Sequence, residues 1–264
     1  MTAAVSEALD RFRLDYAHQR ASEGRAHRGA ELASLPYLRS GPLARQWQVR
    51  ARTFEAFVAH VVRPMTHRRH RPLRILDLGA GNGWLCHRLA LDHRCTAIDI
   101  REDDVDGLGA AAELSRRVPF ECVVAPFERL PVPDCSADLA VFNASLHYAT
   151  ELAPVLAEAA RTLVPGGRIV ILDSPFYANE ADGAAMVREK HASAADAFGS
   201  RAPNLLALPF VEFLTRERIE QASGLRWRRL RVTYPLWYEL RPLVARWQRR
   251  RAPSRFDLWM AEVR

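Results

Sequence analysis

The residues best suited to ligand chemistry lie in a strand–turn–helix segment in the first third of the chain. Residues 73–90 contain a short apolar run that includes Asp77, followed by three glycines at alternate positions, Gly79, Gly81 and Gly83. Glycine allows backbone dihedral angles that other residues avoid, and it lets a ligand approach the main chain closely. Apolar residues return at helical spacing after the last glycine. The start of such a helix directs unpaired N–H groups at whatever occupies the turn.

A second carboxylate follows at the distance of one helix and one strand. The segment Cys95–Ile100 predicts a short strand that ends at Asp99. In a parallel sheet, this end lies beside the glycine turn. There an acidic side chain can accept hydrogen bonds from both hydroxyls of a ribose. A solvated loop aspartate is the structural alternative.

The spacing of the glycines distinguishes this turn from a dinucleotide-binding fingerprint, which has the form G-x-G-x-x-G. Asp77 and the glycines instead form D-x-G-x-G-x-G. This pattern resembles motif I of the class I S-adenosylmethionine-dependent methyltransferases. The resemblance implies S-adenosylmethionine as cofactor and S-adenosylhomocysteine as product. The cofactor-binding residues that it implies in this region are Asp77, Gly79, Ala80, Gly81, Asn82, Gly83, Asp99 and Ile100.

Residues 125–134 resemble the adenine-binding loop of the same family, with one departure. Pro126 stands where the family usually has an aspartate that binds the adenine amino group. Proline offers neither a side-chain acceptor nor an N–H, so that contact is lost or moved. We expect Phe127 to pack on the ring and to offer its backbone N–H, while Glu128 supplies an alternative acceptor.

The segment after the fourth predicted strand resembles motif IV of the family. Asn143 is expected to face the cofactor. His147 is a candidate general base, because its unperturbed pKa lies near neutrality; the alternative is a histidine that shapes the pocket. The candidate substrate contacts are His147, Tyr148, Asp173, Ser174, Phe176 and Tyr177, since open α/β sheets bind ligands at the carboxyl ends of their strands.

The resemblance implies an α/β, Rossmann-like class I methyltransferase fold, with a seven-stranded, mostly parallel sheet, helices on both faces and an N-terminal helical cap. We expect the helical extension at 1–68 and the methyltransferase domain at 69–264. Helical insertions are expected at about 176–215 and 236–252. The second insertion is rich in aromatic residues. We expect it to form part of the acceptor pocket, to form a dimer face, or simply to pack against the rest of the domain.

Composition limits the classes of partner. The formal net charge is +7, and arginine clusters lie at 68–74, 226–231 and 246–251. Such clusters can bind phosphate backbones, although solvated faces are the commoner case. No apolar run approaches the ~20 residues of a membrane span. We therefore expect a cytoplasmic protein with no membrane partner, as a monomer or homodimer. None of the four cysteines forms a C-x-x-C pair, so we expect no metal site and reduced cysteines that serve packing.

The function predicted from the sequence is that of a methyltransferase, EC 2.1.1.-, which methylates an O, N or C nucleophile of a small molecule. Two alternatives remain open. The first is methylation of RNA or another nucleic acid, although the fourth strand ends in Asn-Ala-Ser-Leu and not in the signature of base-amino methylation. The second is a non-catalytic or regulatory protein that keeps the fold, for which Pro126 is the only support.

Overall fold

The computed structural model describes residues 3–263, which form a seven-stranded sheet in the order β3-β2-β1-β4-β5-β7-β6. The strands are β1 (Arg74–Leu78), β2 (Arg94–Asp99), β3 (Glu121–Val124), β4 (Ala137–Asn143), β5 (Leu163–Leu172), β6 (Arg228–Leu230) and β7 (Leu258–Glu262). The first five strands pair in parallel, and β7 runs antiparallel to both β5 and β6. The predicted seven-stranded, mostly parallel sheet is confirmed.

Helices cover both faces of this sheet. The α-helices within the described residues are α1 (Ala3–Ser22), α2 (Gly29–Ser34), α3 (Ala44–Phe57), α4 (Arg63–Arg69), α5 (Trp84–Leu89), α6 (Leu108–Ser115), α7 (Leu152–Thr162), α8 (Glu180–Ala192), α9 (Ala194–Phe198), α10 (Ala202–Leu205), α11 (Arg216–Ser223), α12 (Leu236–Glu239) and α13 (Arg241–Trp247). Helices α3, α5 and α6 pack on one face, and α7 and α11 pack on the other.

Alternation along the strands separates the core into two layers. Ile75 of β1 and Val141 of β4 join the layer under α3, α5 and α6. Their neighbours Leu76 and Phe142 join the layer under α7 and α11. Successive side chains of a strand point to opposite faces, so a parallel strand between two helical layers needs apolar residues on both. This explains why these strands are nearly continuous hydrophobic runs in the sequence.

The strand order reverses between β1 and β4, which are adjacent and parallel. The chain leaves β1 toward β2 on one side, whereas β4 leads to β5 on the other. A crevice therefore opens beyond the carboxyl ends of these two strands, the place where open α/β sheets bind ligands. The glycine turn and Asn143 both lie at this crevice.

Three stretches differ from what their sequence pattern predicts, which is a helix that ends at Pro64, a strand over 227–234 and no regular element over 21–33. The helix after Pro42 does not stop at Pro64, because a π-helical segment, Val58–Val62, carries the chain into α4. Pro64 lies in the first turn of α4, where its missing N–H costs no helical bond. The strand expected over 227–234 is only β6, since Pro235 leaves the sheet and cannot supply the N–H that a ladder needs. The stretch 21–33, which has no clear period, contributes to α2 and buries Leu32.

The cysteines do not all serve packing. Cys86 and Cys95 are buried beneath the sheet's helical layer, as expected. Cys122 and Cys135 are exposed instead. Cys122 lies on β3, the edge strand of the sheet, and Cys135 lies just before β4.

Candidate functional site

The glycine turn has a conformation that only glycine tolerates well. Gly79 has a φ of 74°, and a Cβ added there would lie 2.4 Å from the Cβ of Ser145. Gly81 has a φ of 53°, and its N–H donates to Oδ2 of Asp99 at 2.8 Å. Both positions lie in the left-handed region that side chains disfavour. The turn therefore keeps its backbone exposed to the crevice and joined to the end of β2.

Asp99 presents a buried carboxylate to the same crevice. Its Oδ2 accepts from Gly81, and its Oδ1 accepts from the backbone N–H of Arg101 at 2.9 Å. Burial raises the pKa of Asp99, and the nearby Arg101 charge and these two N–H groups oppose that rise. Each carboxylate oxygen has a second lone pair. The pair of oxygens is thus prepared to accept from two adjacent hydroxyls.

Most of the residues expected to bind cofactor line one cavity of about 460 Å³. Those that line it are Gly79, Ala80, Gly81, Asn82, Asp99, Ile100, Pro126, Phe127, Glu128 and Asn143. The side-chain oxygen of Asn143 is buried and has no hydrogen-bond partner within residues 3–263. A buried carbonyl oxygen without a partner is costly unless a ligand approaches it. The donors, acceptors and size of this cavity fit an adenosyl amino acid.

Two of the expected contacts are not in the lining of this cavity. Asp77 lies beneath the turn, buried, and neither carboxylate oxygen has a hydrogen-bond partner in the described part of the chain. Burial raises its pKa to about 8, with a further contribution from the charge of Asp99. At Gly83, an added Cβ would lie 2.7 Å from the Cβ of Ala111. Gly83 therefore allows α5 to pack closely on α6. Asp77 and Gly83 support the turn without lining the cavity.

Helix α1 forms the outer wall of the cavity. Leu9, Phe12, Tyr16 and Arg20 line it and recur at every third or fourth position, so they share one helix face. Nε of Arg20 donates to Asp106 at 2.7 Å. The helical spacing of Leu9, Phe12 and Tyr16 can be read from the sequence, which does not by itself indicate that the stripe continues to Arg20. The i, i+4 spacing of Tyr16 and Arg20 puts both on the same helix face. The sequence does not show that Arg20 pairs with Asp106, because Asp106 lies far along the chain.

Asp106 is the charged group that joins this wall to the sheet. It accepts from Arg20 and also from Nδ2 of Asn82 at 2.9 Å. Burial alone would raise its pKa, but Arg20 and Arg101 outweigh burial and hold the pKa below its ordinary value. The carboxylate is therefore ionised at neutral pH and fixes α1 over the glycine turn.

A second cavity, also about 460 Å³, adjoins the first. The residues that line both are Tyr16, Arg20, Arg25, Arg50, Ala144 and Tyr148. The second cavity extends toward the end of β5 and the segments around residues 186–190 and 251–256. Two ligands could thus meet at the shared residues, beside the carboxyl end of β4.

Only some of the expected substrate contacts line the second cavity. His147, Tyr148 and Tyr177 line the second cavity, whereas Ser174 and Phe176 are buried and do not. Nδ1 of His147 is 3.5 Å from Oγ of Ser174. Burial, together with the charges of Lys190, Arg20 and Arg50, lowers the pKa of His147 to about 3. So weak a base cannot hold a proton at neutral pH, which favours the pocket-shaping alternative.

Asp173 is the group in the second cavity with the clearest capacity to accept a proton. It follows β5 with a φ of 51°, and its Oδ1 is buried without a hydrogen-bond partner among the described residues. Nε of Arg50 is 3.9 Å from its Oδ2. Burial raises the pKa of Asp173 to about 6, against the opposing charge of Arg50.

The first arginine cluster has a structural role. Arg69, Arg71 and Arg74 all lie within 4.0 Å of the buried carboxylate of Asp138, at the start of β4. The Arg71–Asp138 contact is bidentate, with both distances 2.8 Å. These three guanidinium groups neutralise one buried charge, so this cluster gives little support to phosphate binding.

Two kinds of feature are absent from residues 3–263. No three or more His, Cys, Asp or Glu side chains are grouped so that they could hold a metal ion. Among these same residues, no helix combines the length and apolar character needed to cross a bilayer.

Comparison with known proteins identifies the central part of the chain. Residues 76–171 match the family described as "Methyltransferase domain". The chain is 38% identical over 105 residues to 27-O-demethylrifamycin SV methyltransferase of Amycolatopsis mediterranei, which covers 38% of each. It is 34% identical over 102 residues to malonyl-[acyl-carrier protein] O-methyltransferase of Hahella chejuensis, covering 38% of this chain and 36% of that protein. The chain thus spans little more than a third of the length of these relatives.

The fold has a counterpart among solved structures. The YcgJ protein of Bacillus subtilis superimposes with a TM-score of 0.53 at 16% sequence identity. The match covers 78% of this chain and 99% of that one. At this identity the likeness concerns the architecture alone.

Proposed function

We propose that this chain is a class I S-adenosylmethionine-dependent methyltransferase that transfers a methyl group to an O, N or C nucleophile of a small molecule, because residues 76–171 match the methyltransferase domain family. The family implies dependence on S-adenosylmethionine, which supplies a methyl group made electrophilic by a positively charged sulfur. The protein's task is to hold donor and acceptor in line at about 3 Å, which contributes through proximity and orientation.

Four features of the first cavity support its role as the cofactor site. Asp99 would accept from the ribose hydroxyls, since both of its oxygens keep a free lone pair. Gly79 and Gly81 leave room for the amino-acid portion to lie against the main chain. Phe127 and Ile100 would hold the adenine between apolar surfaces. The unpaired oxygen of Asn143 would face the positively charged centre.

The carboxylate of the bound amino acid needs a cationic partner, and α3 supplies a candidate. Arg50 is largely shielded from solvent, lines both cavities and stacks over the ring of Trp47 with its guanidinium carbon 5.0 Å from the centroid. Arg25 lines the same wall and donates to Gln46 at 2.7 Å. Arginine binds carboxylates through two parallel N–H groups. We assign these two residues to that end of the cofactor.

The second cavity is proposed as the acceptor site. It adjoins the cofactor cavity at Tyr148 and Ala144, immediately after β4. When the acceptor must lose a proton before or during attack, Oδ1 of Asp173 would accept it from the O–H or N–H group. The charge of Arg50, 3.9 Å from Oδ2, favours the ionised form of Asp173 that can accept this proton.

The observation that carries the proposal is the junction of the two cavities at six shared residues. Calorimetric titration with S-adenosylhomocysteine and S-adenosylmethionine tests the cofactor site. Replacing Asp99→Asn should weaken binding about ten- to a hundredfold, because a buried charged hydrogen-bond acceptor is lost. Asp104→Asn, at an exposed position in the same loop, is the matched control and should bind normally. Failure of wild-type protein to bind either nucleoside would overturn the proposal.

Methyl transfer is tested separately with tritiated S-adenosylmethionine. Incorporation should appear in a fraction of small molecules from cells and not in purified RNA or DNA. Label in nucleic acid, with a steep dependence on salt, would favour the nucleic-acid alternative. Tight cofactor binding with no labelled product in any fraction would favour the non-catalytic alternative.

A further inference from the structure

The second insertion carries an apolar helix face that points away from the protein. Helices α12 and α13 follow one another through Leu240, and their large apolar residues recur at helical spacing. Leu236 is 72% exposed, Leu243 is 62% exposed and Trp247 is 85% exposed. The full apolar stripe consists of Leu236, Trp237, Leu240, Leu243, Val244 and Trp247. A surface helix of a globular protein normally buries its apolar face against the core, whereas this insertion exposes that face to solvent.

The opposite side of the insertion fixes this orientation. Tyr238 is buried, and its hydroxyl accepts from the backbone N–H of Phe256 at 2.7 Å. Its ring lies 4.6 Å from that of Tyr234, and the guanidinium of Arg241 stacks on it at 4.8 Å. The insertion is therefore attached through its polar and tyrosine-bearing side. Turning the stripe inward would break these contacts.

Positive charges accompany the exposed stripe. Arg241, Arg246, Arg249 and Arg250 have no carboxylate within 4.0 Å in the described part of the chain. The one acid of the insertion, Glu239, pairs with Arg255, and Arg251 pairs with Glu189. Four uncompensated arginines thus border a surface of leucine, valine and tryptophan.

This combination distinguishes between classes of partner. Tryptophan and leucine beside arginine are the composition of helices that lie in the plane of a membrane interface. A nucleic acid would engage the arginines but leave the leucine and valine side chains in water. A second copy joined face to face would bring the four arginines of each copy together, and like charges would repel. An anionic lipid surface satisfies both the apolar and the charged residues.

We propose that the insertion at 236–250 docks the protein on an anionic lipid surface, with the apolar stripe in the interface and the four arginines among the headgroups. Arg241 also lines the second cavity, so docking would bring that cavity close to the lipid. The sequence-based expectation of no membrane partner concerned spanning segments, whereas this surface would lie in the interface. The proposal does not depend on the reaction that the site performs.

Co-sedimentation of the full chain with lipid vesicles tests the proposal. Vesicles of phosphatidylcholine with about 30% phosphatidylglycerol should bind the protein, and vesicles of phosphatidylcholine alone should bind it much less. The double variant Leu243→Ser, Trp247→Ser should bind at least about tenfold more weakly, because it removes apolar surface that would enter the interface. Leu91→Ser replaces a leucine that is 65% exposed elsewhere and should bind like the wild type.

Charge reversal tests the electrostatic part. Arg249→Glu with Arg250→Glu should abolish the preference for anionic vesicles, and added salt should weaken wild-type binding. Arg94→Glu with Arg116→Glu reverses two exposed arginines elsewhere in the chain and is the control for net charge. Melting temperatures of all variants verify that they fold.

Three outcomes would overturn the proposal. The first is no binding of the wild type to anionic vesicles. The second is binding that the stripe variants leave unchanged. The third is a dimer in sedimentation equilibrium that dissociates when Leu243 and Trp247 are replaced, which would assign the stripe to a second copy of the chain.

Discussion

The phenolic oxygens of Tyr16 and Tyr148 lie 2.8 Å apart, joining the first helix to the loop after β4. Both residues line both cavities. The Arg20–Asp106 ion pair makes a second bond between α1 and the sheet, 2.7 Å long. Helix α1 therefore closes over the place where donor and acceptor would meet, held by two polar contacts that could separate when a ligand enters.

Removing the hydrogen bond between Tyr16 and Tyr148 should weaken the attachment of α1 over the cavity. Tyr16→Phe deletes the hydroxyl and keeps the ring, so we expect S-adenosylhomocysteine to bind about three- to tenfold more weakly, in line with a lost neutral hydrogen bond. The dissociation rate in stopped-flow fluorescence should rise more than the association rate falls. Tyr37→Phe, on a partly exposed ring outside both cavities, is the matched control. Equal effects in both variants would contradict a closing role for α1.

The glycine turn should not tolerate alanine at Gly79. The substitution adds the left-handed penalty of about 1–2 kcal/mol and a clash with Ser145. We expect loss of S-adenosylhomocysteine binding together with a marked fall in the free energy of unfolding. Gly224→Ala separates the two causes, because Gly224 has a φ of 65° but nothing within 4 Å of an added Cβ. Similar losses in the two variants would show that only backbone strain matters.

Asp173 should titrate near neutrality. Burial raises its pKa to about 6, so a carbon-13 carboxyl resonance should titrate there and vanish in Asp173→Asn. Arg50→Met removes the opposing charge and should raise the pKa further. Because the pKa of Asp173 is higher in the folded state than in the unfolded state, this group adds to the free energy of unfolding at low pH. That contribution is lost as the pH rises from about 4 to about 6. Titration at or below pH 4 would refute the assignment.

The opposite pH dependence is expected at Asp138. Burial alone would raise its pKa, but hydrogen bonds from Arg71 and Arg74 and their charges hold it below the ordinary value. Its contribution to stability is therefore present above about pH 4 and is lost as the pH falls through the lowered pKa. Asp138→Asn should cost about 3–5 kcal/mol at neutral pH. Urea unfolding should show this difference from wild type shrinking in acid.

The exposed Asp196→Asn is the control for this experiment. It should match the wild type at every pH, since no ion pair within the described residues involves Asp196. A constant deficit of Asp138→Asn across the acid range would show that the substitution acts through packing and not through charge.

Local sequence pattern predicted the parts of the site that lie close together along the chain. The three glycines and Asp99 belong to one strand–turn–helix–strand unit, whose short connections leave little freedom for the carboxylate's position. The same pattern could not separate Gly81, which faces the cavity, from Gly83, which packs on Ala111. That distinction depends on which neighbour approaches each glycine, and α6 is a separate element.

Long-range partners explain most of what was missed. The arginines before β1 look like a phosphate-binding cluster until Asp138, more than sixty residues later, is found between them. The burial of His147 among three cations, which makes it a weaker base, likewise depends on residues far along the chain. In both cases the side chain's chemistry was plain from the sequence, while its environment was not.

The amino-acid sequence by itself determined the sheet, the glycine turn and the position of the Asp99 carboxylate beside that turn, because apolar runs and glycine spacing act over a few neighbouring positions. Only the tertiary structure decided that α1 closes the cavity, that Asp173 has an unpaired oxygen beside Arg50, and that the stripe of α12 and α13 faces outward. Burial and charge pairing depend on segments far apart in the chain, and the periodicity of a helix does not say which side its neighbours cover.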